Sequence, residues 1–169
     1  MLGVRLIIAI FIVLICGVIG LTKSKSFESR EHILREAIFL FKGIENEIKF
    51  SLTTIPNAIE IVRQRMNTYL KDVLGSISLM LLEVNVTHGD LLNELDKLTS
   101  LTTYDKQIIL TGITSLGTSD IEGEQGIINM TINALETELN EAIENKNKNS
   151  KMYKTVGLAT GLIIAIILV

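Results

Sequence analysis

The chain has 169 residues, 47% of them hydrophobic, with 19 acidic and 16 basic side chains, one cysteine, one proline and no tryptophan. Mild acidity without a basic stripe argues against a nucleic-acid partner. Cys16 has no second cysteine to pair with, and His32 and His88 stand in no metal-ligand spacing, so disulfide and metal-site chemistry are not expected.

The mean hydropathy of +0.41 averages two different materials. Residues 1–21 and 152–169 are almost continuously apolar and carry only Arg5 and Lys154 as charged side chains. Spanning a bilayer takes roughly 17–25 apolar residues, so 1–21 is expected to be a transmembrane helix, with a cleaved signal peptide ending near Val18-Ile19-Gly20 as the competing reading. Residues 152–169 are expected to be a second transmembrane helix, anchored by Tyr153 and Lys154. Gly157 and Gly161 would let it pack closely on a neighbouring helix, as would Gly17 and Gly20 in the first. Lys23, Lys25, Arg30 and Arg35 follow the first segment, and Lys146, Lys148, Lys151 and Lys154 precede the second. By the positive-inside rule this places the domain between them, 22–151, in the cytoplasm of a multi-pass cell-membrane protein.

That middle domain reads as one helix after another. Ile33, Ala37, Leu40, Phe41, Ile44 and Ile48 share one face of a helix over 27–50. Pro56 suits a helix start, and Ala58, Ile59, Val62, Met66, Leu70 and Val73 predict a single core face running to a break at Gly75-Ser76. Thr87 with Asp90, and Thr102 with Asp105, are capping boxes opening two further helices. After the second of these, Gly117 is expected at a positive φ just past the helix end. Ser119, with Glu122 three residues on, is expected to cap the last helix, and Asp120 favours its N-terminal dipole. That helix carries a heptad-like seam, Ile121, Gln125, Ile128, Ile132, Leu135, Leu139 and Ala142, and from 119 to 151 would measure about 50 Å.

Catalytic signatures are scarce. There is no GxxxxGK[ST] phosphate loop and no GxSxG elbow. The acidic pairs Glu45/Glu47, Glu122/Glu124 and Glu136/Glu138 are two apart and diverge on a helix. The expectation is a protein that is not an enzyme and holds no cofactor.

Three stretches carry a family likeness: IENEIKFSLTTIPNAI (44–59), LTTYDKQIILTGITSLGTSDIEGEQGII (101–128) and GLATGLIIAIILV (157–169). With the N-terminal anchor they closely resemble the stage III sporulation protein AB family, which is similar to the inner-membrane platform proteins of type II secretion and type IV pilus systems. The most specific part is the turn LG-x-SD-x-E-x-x-Q, and the positions of this chain that carry the likeness are Glu47, Pro56, Asp105, Leu116, Gly117, Ser119, Asp120 and Gln125. The resemblance implies an all-α protein, with a cytoplasmic bundle of about six helices flanked by two transmembrane helices. It implies a non-catalytic platform in the channel joining mother cell and forespore, lying in the mother-cell membrane. The partners implied are a secretion-type ATPase, stage III sporulation protein AA, and other channel proteins, with homo-oligomers open. A membrane-anchored helical sensor or adaptor is the alternative, and the lysine distribution opposes the exported domain a sensor would need.

Overall fold

The computed structural model describes residues 2–51, 53–83, 85–117 and 120–168. Side-chain surroundings are described for most of 21–149 and at scattered positions beyond. The described residues form six α-helices and contain no strand: α1 (Leu2–Asn46), α2 (Ile55–Arg63), α3 (Leu70–Met80), α4 (His88–Asp96), α5 (Thr103–Ser115) and α6 (Ile121–Leu168). A π-helical turn, Glu47–Ser51, ends α1.

The all-helical expectation holds, and the expected flanking transmembrane helices do not. Among the described residues no helix is long and apolar enough to cross a membrane. Neither terminal apolar run forms a helix of its own. The first continues without interruption into the charged stretch from Lys23 onward in the 45-residue α1, and the second follows the polar stretch Asn145 to Lys151 within the 48-residue α6.

The chain divides into two compact units, one of Met1–Glu31 with Glu141–Val169 and one of His32–Asn140. In the first, α1 and α6 run antiparallel and are joined by polar contacts. Lys146 Nζ lies 2.6 Å from Glu31 Oε2, and Arg30 Nη1 lies 3.3 Å from Glu141 Oε1. Phe27 stacks on Tyr153 with ring centroids 5.8 Å apart. Arg30 and Glu31 are both buried, so each needs the opposite charge it has found.

The second unit holds the core. Leu34, Leu40, Phe41 and Ile44 of α1 are fully buried together with Ile59, Leu70, Leu74, Ile77, Leu95, Ile109 and Leu110. Each such side chain is worth about 1.5–3 kcal/mol relative to exposure. Helices α2 and α3 pack on each other, α3 on α4, and α4 on α5.

The spacing of apolar residues predicts one helix from Pro56 to Val73, but the chain breaks between Arg63 and Leu70. The cause is Glu36 on α1. Its carboxylate accepts hydrogen bonds from the backbone N–H of Asn67 (2.7 Å) and Thr68 (3.3 Å) and from the Thr68 hydroxyl (2.5 Å). It thereby satisfies donors that a continued helix would have used itself. The expected break at Gly75-Ser76 is absent, since α3 runs straight through it. Gly75 is buried beneath the Arg63 guanidinium, whose Cζ would lie 2.9 Å from a Cβ there. That guanidinium forks onto Glu60, with Nε 2.5 Å from Oε2 and Nη2 2.7 Å from Oε1. The Arg63 hydrogen bonds hold the Glu60 carboxyl below the usual carboxylate range, against the opposing effect of desolvation.

Both predicted capping boxes are present. Asp90 N–H donates to Thr87 Oγ1 (3.3 Å) and Asp90 Oδ2 accepts from Thr87 N–H (2.9 Å). Thr102 and Asp105 make the same exchange at 3.1 and 2.8 Å. Helix α5 then packs between α1 and α6 at a point where there is no side chain. A Cβ on Gly112 would lie 2.6 Å from Phe41 Cζ and 2.7 Å from Thr131 Cγ2.

Gly112→Ala is expected to destabilise the chain by about 1–3 kcal/mol, because neither the aromatic ring nor the branched Thr131 can yield without repacking. Gly126→Ala, on a helix surface with nothing within 4 Å, is expected to stabilise by about 0.5–1 kcal/mol. Chemical denaturation of the two variants beside the unsubstituted chain checks the opposite signs. The Thr87 hydroxyl, and then its N–H, hold the exposed Asp90 carboxyl below the usual range. Its contribution to α4 is therefore complete above the ordinary aspartate value of about 3.9 and is lost as pH falls through the lowered folded value. Amide exchange in α4 is expected to accelerate over that acid range, and Asp90→Asn to remove this pH dependence.

Candidate interaction site

The joint between α5 and α6 is built by three local devices. Leu116 leaves the helix with φ −74° and ψ 149°, and Gly117 follows at φ +83°. With Leu116 as the C-cap, Gly117 holds the left-handed C′ position expected of it. Helix α6 starts at Ile121, which puts the cap on Asp120 rather than Ser119. Asp120 Oδ1 accepts from Gly123 N–H at 2.9 Å, and Asp120 O accepts from Glu124 N–H at 2.9 Å. Ser119, expected to form a capping box with Glu122, lies outside the described residues. The third device was not anticipated: the buried Glu124 reaches back across the turn, and its Oε1 accepts from Gly117 N–H at 2.9 Å.

The other residues singled out from the sequence fall at separate places. Asp105 is fully buried as the acid of the α5 capping box. Beside it Lys106 is nearly buried and reaches Asp96 Oδ1 at 2.9 Å. Gln125 is half-buried in the seam, whose members Ile128, Ile132, Leu135 and Ala142 are buried as expected. Glu47 opens the π-helical turn and its carbonyl accepts from Thr53 N–H at 3.5 Å. Gly157 and Gly161 lie outside the described side-chain surroundings.

Pro56 and Leu116, 60 positions apart in the chain, meet in one groove. It has a volume of about 450 Å³, and buried Leu91, Ile113 and Leu116 floor it while Glu83 and His88 stand exposed at its edge. Ile55 also lines it, 3.8 Å from where a Cβ on Gly117 would be, so the turn forms one end of this groove.

A second groove, of about 410 Å³, runs between α5 and α6. Ile108, Ile127 and Ala134 line it, with Tyr104 and Met130 exposed at 57% and 74%. Its remaining lining is uncharged: Gln107, Thr111, Gly112, Ser115 and Thr131. Charge depletion with tyrosine and methionine is the composition of an interface centre. Neither Tyr104 nor Met130 breaks helical periodicity, so nothing in their spacing alone marked them. The one sequence sign was Gly112, a glycine in the middle of an apolar helix, which marks close approach.

The fold places the chain among the all-helical bundle proteins. From residue 5 to residue 169 it matches the family model of stage III sporulation protein AB, and it belongs to that family. Membership gives it a part in the third stage of sporulation and implies a complex with other proteins of that stage. No curated protein and no solved structure matches the chain.

Gly117→Val is expected to cost about 1–2 kcal/mol or more through the left-handed backbone alone. Glu124→Ala should cost about 1–3 kcal/mol by leaving the Gly117 N–H without its acceptor. Thermal unfolding checks both. A Gly117→Val chain with unchanged midpoint would mean that the positive φ carries no weight in the turn.

Proposed function

We propose that the chain is a non-catalytic helical platform of the mother cell–forespore channel, and that its His32–Asn140 unit docks a cytoplasmic secretion-type ATPase, stage III sporulation protein AA. In this reading the unit works in the mother-cell cytoplasm, where the partner binds and hydrolyses the ATP.

The observation that carries the reading is the charge-free groove between α5 and α6, with Tyr104 and Met130 standing exposed at its edge. An apolar, open, helix-lined groove is suited to the apolar face of a partner helix, read through side chains at i, i+3, i+4 and i+7. The close approach at Gly112 and the Glu124 hydrogen bond to Gly117 N–H position the groove walls. A preformed surface spares the partner the cost of ordering it. Family membership supplies the process in which such a platform serves.

Affinity capture of the companion ATPase by the tagged full-length chain, from purified components and from sporulating cells, tests the proposal. Association is expected, and Met130→Glu is expected to weaken it at least tenfold while leaving the helical circular dichroism unchanged. Lack of association in both settings would end the proposal. Association indifferent to Met130→Glu would remove the α5–α6 groove from it.

A further inference from the structure

The groove at Pro56 and Leu116 is not absorbed by this reading, and its chemistry differs from that of the α5–α6 groove. Its floor is apolar, Glu83 is its only acidic lining residue, and no lysine or arginine lines it. Among the described residues Glu83 has no ion-pair partner. The groove therefore suits an apolar side chain flanked by a cation.

The chain itself presents such a pair. Phe50, in the π-helical turn that ends α1, is 76% exposed, the highest exposure of any phenylalanine described. Lys49 is exposed beside it, with Nζ 5.7 Å from the centre of the Phe50 ring. An exposed aromatic ring presents apolar surface that an apolar groove can cover. Phe27, two residues after Lys25, is by contrast already engaged, because it stacks on Tyr153.

We infer that the Pro56–Leu116 groove receives Phe50 of a second copy of this chain, with Lys49 of that copy paired to Glu83. The apolar floor takes the ring, and the exposed carboxylate at the edge takes the ammonium. Phe50 precedes Ile55, a lining residue of the groove, by five positions. Donor and acceptor patches are thus close in the chain, which allows two copies to exchange the same contact in both directions about a two-fold axis. Charge selects the register: Glu83 opposite Lys49 is complementary, and the unit around them is otherwise acidic, with 15 acidic against 8 basic residues between 32 and 140. That excess opposes any approach of two copies that does not bring a cation to the contact.

Sedimentation equilibrium of the purified full-length chain tests this, with Phe50→Ala, Lys49→Glu, Glu83→Lys and the Lys49→Glu/Glu83→Lys double variant alongside. All three substituted positions are exposed, and circular dichroism verifies that each of the four variants is folded. A dimer is expected, weakened at least tenfold by each single substitution, with the double variant recovering most of the loss. A monomeric chain at all concentrations would overturn the inference, as would a dimer that none of the substitutions weakens. A double variant no better than the singles would remove the Lys49–Glu83 pairing from it. A monomeric chain that loses its hold on the companion ATPase through Glu83→Lys would give the groove to that partner instead.

Discussion

The His32–Asn140 unit depends on the absence of a side chain at one position. Helix α5 reaches Phe41 of α1 and Thr131 of α6 within the width of a missing methyl group, because residue 112 is glycine. Phe41 is fully buried there, and Ile109, Leu110 and Ile113 on the same helix are buried with it. Move α5 outward by the thickness of a methyl and those side chains lose contacts that no rotamer change restores, since interiors are packed as densely as organic crystals. The wall of the α5–α6 groove is set by the same contact, so stability and surface are determined together.

The joint beyond α5 extends that constraint. Gly117 turns the chain, Asp120 caps the next helix, and Glu124 closes the loop by accepting from the Gly117 N–H. A carboxylate buried to this extent is costly unless its hydrogen bonds are made, so the turn and the first coil of α6 are held as one piece. One end of the Pro56–Leu116 groove is this turn, and the other groove lies along the two helices it joins. Both surfaces thus adjoin the same Gly117–Glu124 hydrogen bond.

Much of this was legible from residue types. The two Thr-x-x-Asp boxes, the positive φ at Gly117 and the buried seam of α6 follow from local rules that involve residues a few positions apart. What was not legible came from distant residues or from context. The break between α2 and α3 is caused by Glu36, roughly 30 positions upstream, whose carboxylate takes two backbone donors that the apolar spacing assigns to a helix. Gly75 looked like a stop and is buried under Arg63 within a helix. The terminal apolar runs looked like free-standing membrane helices, yet each is one end of a longer helix, and no membrane-crossing helix exists among the described residues. Of the candidate surfaces, only Pro56 and the LG turn were marked in sequence, because exposure of Tyr104, Met130 and Phe50 is a property of packing and not of pattern.

Hydrogen exchange of the full-length chain, alone and with the companion ATPase, tests most directly the claim that the bundle is a docking platform built on α5 and α6. The account predicts new protection confined to the exposed faces of 104–111 and 127–134, with the buried core around Gly112 unchanged. Protection that appears elsewhere in the chain, with none along α5 and α6, would contradict it.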